Sequence, residues 1–425
     1  MVIFKNGTII DPKTSFMGKK DIAIEGNLII KIDENIPASK EDKVYDCAGK
    51  YIGPGLVDVH VHFRDPGFTY KEDIESGSMA AAKGGFTSVI LMANTKPAVD
   101  NADTIQYILD KGNKTGIHVY TCANVTEGMK GKVLTDFKGL LDAGAIGFTD
   151  DGVPLVDAEL VKKAMEQAVA TDSVLSFHEE DPQYITNNGV NRGKASEHYG
   201  IGGSDRLAEI RMVDRDIKLA MQTGAKVNFQ HLSTREAIEL IREAKKLPEG
   251  ENLYAEATPH HIALTEDAAI THGTMAKMNP PLREESDRQA IIEGLMDGTI
   301  DIIATDHAPH STDEKNKPIT EAPSGILGLE TAFAICNKML VLSEKLSYLQ
   351  LFCKMSYNPA GLYGLNAGYL AEGAPADLVV FDPERVWNID KFASKSQNSP
   401  FINENLTGKI ELTMSNGKIV FLDWK

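Results

Sequence analysis

The chain has 425 residues, 42% of them hydrophobic and 25% charged, the balance of a soluble globular protein with room for one large domain and a smaller one. Its formal net charge of −17 sets it against nucleic acid and anionic membrane surfaces, and no apolar run approaches the roughly 20 residues that span a bilayer. Met1-Val-Ile-Phe-Lys-Asn-Gly7 lacks the basic-then-apolar build of a secretory signal, and Cys47, Cys122, Cys336 and Cys353 form no Cys-x-x-Cys pair, so reduced thiols in a cytoplasmic protein are expected. Cys122, near a strand end, is the one thiol placed to line a pocket.

Short strands are predicted from the start to about residue 53, with Ile22–Ile32 reading as a hairpin around Glu25-Gly26-Asn27. Strands then alternate with helices. The strands are Leu56–His62, Thr87–Met92, His118–Ala123, Ala145–Thr149, Val174–His178, Lys226–His231, Leu253–Ala257 and Ile300–Thr305. Between them lie helices such as Ala158–Thr171, capped by Asp157, and Ser204–Gln222. Eight such units favour a closed (β/α)8 barrel over an open doubly wound sheet. No glycine-rich dinucleotide fingerprint follows any strand; Gly200-Ile-Gly-Gly203 lies in a loop. Strands return at Asp377–Phe381, Ile410–Met414 and Ile419–Leu422, the last two joined by Asn416-Gly417, the strongest short hairpin signal present. Neither end has enough strands to bury a core alone. Residues 1–53 and 366–425 are therefore expected to build one small β-sandwich domain beside a barrel of residues 54–365.

Functional residues of such barrels sit at the carboxyl ends of the strands. The first strand ends His60-x-His62-x-Arg64, and two imidazoles two residues apart share one face of a strand. A single strand histidine is ordinarily a hydrogen-bonded core residue, but two side by side are costly to bury unless something satisfies both, which a divalent metal does. The other ends are Met92-Ala-Asn94-Thr95, Thr149-Asp150-Asp151, His178-Glu179-Glu180, Gln230-His231 and Thr305-Asp306-His307-Ala-Pro-His310. Independent core histidines would scatter along the strands instead. His60, His62, His178 and His231 with Asp151 and Asp306 suffice for a binuclear site, and a His/carboxylate set without cysteine suits zinc best. Two ions close together need a bridging anion; Asp151 and Asp150 compete for that place on sequence grounds. His118 begins a strand, at the opposite rim; His260 and His261 read as structural, and His198 and His272 lie in loops.

The motifs Gly55-Leu-Val-Asp-Val-His-Val-His-Phe-Arg-Asp-Pro-Gly67, Met92-Ala-Asn-Thr95, Gly147-Phe-Thr-Asp-Asp-Gly152, Pro280-Pro-Leu-Arg283, Thr305-Asp-His-Ala-Pro-His310 and Gly325-Ile-Leu-Gly-Leu-Glu-Thr331 resemble those of the amidohydrolase superfamily, in particular its bacterial class I dihydroorotases. The resemblance covers the whole chain. It implies His60, His62, Asp151 and Asp306 around one zinc ion, with His178 and His231 holding a second that shares Asp151. Many superfamily members use a carboxylated lysine as the bridge; no lysine lies between Ala145 and Gly152, which favours the dihydroorotase pattern over hydantoinases and allantoinases. Substrate contacts are implied for His62, Arg64, Asn94, Asn279, His310 and the Ser324-Gly325 turn. Ser324 stands where phenylalanine is more usual, and Thr258 where cysteine is common.

The activity so implied is reversible hydrolysis of the cyclic amide of dihydroorotate to N-carbamoyl-L-aspartate, in pyrimidine biosynthesis. Asp306 would be the proton carrier, and Arg64 offers a planar fork to a carboxylate. Ser311–Pro323, charged and holding two prolines, is a candidate lid. The rival readings are another cyclic amidase, or a non-catalytic partner of aspartate transcarbamoylase; such partners typically lack metal ligands. The resemblance further implies a homodimer and leaves room for an active enzyme that also binds aspartate transcarbamoylase.

Overall fold

The computed structural model describes residues 1–424. Eight parallel segments close into a barrel. Leu56–Val61 pairs with Phe86–Leu91, which pairs with His118–Thr121. Single bridges of Phe148 to Ala123 and to Leu175 carry the sheet across to Val174–Phe177. That strand pairs with Lys226–Phe229, then Leu253–Ala257, then Ile302–Ile303, and a bridge between His307 and Val61 closes the ring.

The predicted strand Ala145–Thr149 is thus reduced to bridges at Phe148. Gly147 passes so close to Tyr363 that a Cβ there would lie 2.9 Å from its ring. Its neighbours still bond as a strand does: Phe148 N–H donates to Val174 and Thr149 N–H to Ala123. The eighth strand is likewise shorter than predicted.

Helices pack around the barrel for the ordinary amphipathic reason. In Ala158–Ala170 the Asp157 carboxylate accepts from the Glu159 and Leu160 N–H groups, and Val161, Ala164, Met165 and Ala168 fall on one buried stripe. The helix predicted from Ser204 begins at Leu207 instead, because Ser204 is held in bridges to Ile185 and Asn191. Among the described residues no helix is long and apolar enough to cross a membrane.

Beside the barrel lie two further sheets. One has four strands from the first 46 residues, with Asp21–Glu25 and Leu28–Asp33 forming the predicted hairpin. The other has six and joins both ends of the chain: Tyr51–Pro54 lies between Thr8–Asp11 and Leu378–Asn388, followed by Asn405–Ser415 and Lys418–Leu422. Phe4, Ile22, Ile24, Ile52, Val380 and Leu412 form their common core, all buried. Asn416 and Gly417, both at positive φ, turn the last hairpin.

Candidate metal centre

Four histidines and two aspartates meet at one rim of the barrel, each at the carboxyl end of its segment. The pairing of the first two strands slips between Asp58 and Val61, a bulge at His60 of the kind that re-aims side chains. Arg64, His231 and Asp306 all hold positive φ, an uncommon conformation for non-glycine residues. Beneath them Asp58, fully buried, accepts from the His60 and Thr305 N–H groups and ties the first strand to the last.

Backbone and side-chain partners decide which ring nitrogen carries hydrogen. Asn94 Nδ2 donates to the carbonyl of Asp151, so its Oδ1 must accept from His62 Nδ1, 3.0 Å away, and His62 Nε2 is left with a lone pair. His60 Nδ1 faces Glu256 at 3.2 Å and His178 Nε2 faces Glu180 at 3.0 Å, which turns His60 Nε2 and His178 Nδ1 inward as acceptors. His60 Nε2 stands 3.5 Å from Oδ1 of both Asp151 and Asp306; His62 Nε2 is 2.9 Å from Asp306 Oδ1. His231 Nε2 lies 3.0 Å from His178 Nδ1 and 3.7 Å from Asp151 Oδ1.

With these tautomers His60 Nε2, His62 Nε2 and His178 Nδ1 aim lone pairs toward the two carboxylates, and among the described residues His60 Nε2 and Asp151 Oδ1 have no hydrogen-bond partner although buried. Orphaned buried acceptors of this kind are costly, and a cation satisfies all of them at once. The donor atoms fall into three sets, each within 4.8 Å: His60, His231 and Asp306; His60, His62 and Asp151; Asp151, His178 and His231. Asp151 belongs to two of them. Asp150 does not join: its carboxylate accepts from the Val125 and Thr126 N–H groups and caps a neighbouring loop. His260 and His261 also stay outside; His261 is fixed between Thr258 Oγ1 and the Pro280 carbonyl.

Charge balance at the rim follows from these contacts. Where no cation meets these acceptors, a proton takes its place: burial would lower the His60 imidazole, yet Asp306 and Asp151 hold it well above its ordinary range. Burial opposes His178 too, and Asp151 and Glu180 raise it to about 10. For Asp151 and Asp306 burial pushes up, but the surrounding imidazoles prevail and keep both carboxylates ionised.

An open cavity of about 320 Å³ lies over this cluster. Of the predicted substrate residues, His62, Arg64, Asn94, Asn279, His310 and Ser324 line it. Arg64 donates from Nε to the Pro309 carbonyl and turns its fork to the cavity beside His310. His310 Nε2 donates to the Ser324 carbonyl, and Lys71 Nζ approaches its Nδ1 at 3.4 Å; burial and then Arg64 hold the ring neutral. Asn279 Oδ1 is buried without a partner among the described residues. Asn94, expected on the substrate, has both ends of its amide engaged with His62 and Asp151. Gly325 presses under His310. The expected lid, 311–323, contains a short helix, Thr312–Lys315, and is tied down: Lys315 Nζ donates to the carbonyls of Pro323 and Gly325, and Lys277 Nζ to those of Ile319 and Ala322.

Sequence reasoning did not single out Glu256 or Lys71, and noted Glu180 without giving it a role. A glutamate on an otherwise apolar strand, Leu253-Tyr-Ala-Glu-Ala257, is the one signal that could have pointed to Glu256. Cys122 is buried in the barrel interior and does not line the cavity, and its thiol is pushed up to about 12 by that burial.

The amidohydrolase family profile matches residues 51–420. Among curated relatives, the dihydroorotase of Clostridioides difficile (strain 630) is 52% identical over 421 residues, 99% of this chain and 100% of that one. The dihydroorotase of Clostridium acetobutylicum is 47% identical over 425 residues and the whole of both chains. Among solved structures, the L-hydantoinase (dihydropyrimidinase) from Arthrobacter aurescens superposes with a TM-score of 0.89 at 25% identity, covering 100% of this chain and 96% of that one. The D-hydantoinase (dihydropyrimidinase) from Thermus sp. gives 0.85 at 24% identity, with the same coverage, a likeness of fold.

Proposed function

The chain belongs to the amidohydrolase family and, within it, to the dihydroorotases, and from that premise we propose how its rim residues divide the reaction. The enzyme hydrolyses the cyclic amide of dihydroorotate, reversibly, to N-carbamoyl-L-aspartate, with a metal cofactor. The proposal adds the metal and the roles: zinc, two ions, held by His60, His62, Asp151 and Asp306 on one side and by His178 and His231 on the other, with Asp151 shared. The convergence of ligand atoms around the unpartnered His60 Nε2 and Asp151 Oδ1 carries this reading. When bound, the metal would polarise the ring carbonyl and bring the pKa of water toward neutrality.

The chain's own residues supply the rest. Asp306, left an acceptor by its neighbours, takes a proton from the attacking water as the new C–O bond forms at the ring carbonyl. It returns that proton to the ring nitrogen as the C–N bond breaks. Arg64, with Asn279, holds the substrate carboxylate and ring, and His310 joins them by turning its one N–H from the Ser324 carbonyl to the carboxylate. A planar guanidinium beside a neutral imidazole suits a carboxylate ligand, since it supplies one full positive charge and two directed donors. Asn94 lines the same cavity and contacts the substrate while also holding His62 and Asp151. The Ser324-Gly325 turn fixes His310 from below.

Residues 54–365 form the catalytic unit in this reading, with 1–53 and 366–425 as its companion. The protein works as a cytoplasmic homodimer of 46.3 kDa chains, able to associate with aspartate transcarbamoylase. Dihydroorotate hydrolysis, measured before and after chelation with hydantoin and allantoin in parallel, tests the whole. Chelator-sensitive turnover of dihydroorotate alone is expected. Turnover of hydantoin or allantoin instead would overturn the substrate contacts, and a metal-loaded folded protein without turnover would overturn the assignment of roles.

A further inference from the structure

Two buried glutamates stand behind the acceptor cluster, and the reaction above uses neither. Glu256 has no exposed surface. Its Oε2 meets His60 Nδ1 at 3.2 Å, and its Oε1 accepts from Asn228 Nδ2, which is itself 2.8 Å from Ser176 Oγ. Glu180, 1% exposed, meets His178 Nε2 at 3.0 Å through Oε2 and accepts from Ser204 Oγ through Oε1. Each carboxylate is therefore pinned at one oxygen and offers the other to one imidazole. His62, by contrast, is backed by the neutral amide of Asn94.

We infer that Glu256 and Glu180 are positioning residues, each setting the cation affinity of a different half of the site. A carboxylate that accepts from one ring nitrogen fixes the tautomer and the tilt of the ring and makes the opposite nitrogen a better donor, an effect worth ten- to a hundredfold in metal affinity. His60 shares donor sets with His62 and also with His231, whereas His178 appears only with His231 and Asp151, so the two-ion reading puts the two carboxylates behind separate positions. The inference rests on the two-ion reading of the site, and it gives that reading an internal asymmetry.

Zinc binding by the full chain tests it, through competition with a chromogenic chelator, with thermal unfolding of the metal-free proteins alongside. Wild type, Glu256→Gln and Glu180→Gln are compared, and both substitutions are repeated in the His178→Ala and His60→Ala backgrounds. In His178→Ala, Glu256→Gln is expected to weaken the remaining zinc about ten- to a hundredfold while Glu180→Gln leaves it within about threefold. In His60→Ala the two exchange effects. A merely structural role would lower the unfolding temperature and move both affinities together or neither, and either result overturns the inference. Wild type binding two zinc ions with unaffected variants would overturn it alone; wild type binding none would overturn the two-ion reading as well.

Discussion

Replacing Gly325 by alanine should damage substrate binding without touching the metal. A Cβ built at Gly325 lies 2.6 Å from the Ala308 carbonyl oxygen and 2.6 Å from Cδ2 of His310, where ordinary contact begins at 3.4 Å. The backbone of Ala308 has little freedom: its N–H donates to Ile326, and Asn398 Nδ2 donates to its carbonyl. The imidazole can retreat by about 0.8 Å, the shortfall between those two distances, but the Ala308 oxygen cannot, so the turn itself, with Gly325 at φ +155°, must shift as well. A misplacement of about 1 Å at a group that positions substrate costs on the order of 10²-fold, so kcat/KM for dihydroorotate should fall by about 10- to 100-fold. Most of the loss should appear in KM, because the carboxylate is held alike in ground and transition states. Overpacking at this site should also cost about 1–3 kcal/mol of stability. Steady-state kinetics, zinc content and thermal unfolding measure all three. A folded Gly325→Ala protein with kcat/KM within threefold of wild type would refute the role given to His310 and its turn.

Asp306→Asn should lower kcat by about 10²- to 10⁴-fold, the usual contribution of a positioned proton carrier, with an unchanged circular dichroism spectrum. Chelation should abolish turnover and lower the unfolding temperature, since a cation at about 100 times its Kd stabilises the folded state by about 2.7 kcal/mol; a chelated sample with unchanged unfolding would argue that the rim holds no metal. Lys71→Met removes the ammonium that faces His310 Nδ1 and pairs with Glu314 at 2.8 Å, and should raise KM several-fold with kcat little altered. Burial, and then the charge of Lys277, lower Lys315 to about 7, below the value of 10.5 it has when exposed. The folded protein therefore binds fewer protons there than the unfolded chain between pH 7 and 10.5, and this lysine's share of stability improves as pH rises through that window. The unfolding temperature of Lys315→Met, followed from pH 6 to 10, should lose that gain relative to wild type; parallel curves would show that the ammonium is not titrating as stated.

The architecture was legible because its signals are periodic and local. His60 and His62 share a face through the two-residue repeat of a strand, and the other rim residues follow apolar runs that could be read one by one. Asp157 marks its helix through a bond to amides two and three residues on. What could not be read depends on neighbours remote in sequence. Ala145–Thr149 looks like any other strand until Tyr363 is seen against Gly147. Glu256 looks like a surface residue of a half-exposed strand, and only the closed barrel turns it toward His60. Lys277 and Lys315 belong to a residue type that is nearly always exposed, so their burial beneath the 311–325 segment has no sequence signature. Asn94 reads as a polar group free to meet a ligand, whereas both ends of its amide are engaged by the residues it supports.

Closing the barrel through Val61 and His307 also governs when the protein becomes an enzyme during its synthesis. His62 and Asp306, 2.9 Å apart in space, are 244 residues apart along the chain. A nascent chain adds about 5–20 residues per second, so tens of seconds separate the emergence of the first ligand from that of the last. Over that interval the ribosome carries a strand with two histidines and no competent site. The strand Tyr51–Pro54 waits longer still, since its antiparallel partner begins at Leu378. Pairings of such long range form slowly and leave an unpaired edge exposed meanwhile. Activity therefore arrives only after residue 306 has emerged, and any nonsense codon before it should yield a product without turnover.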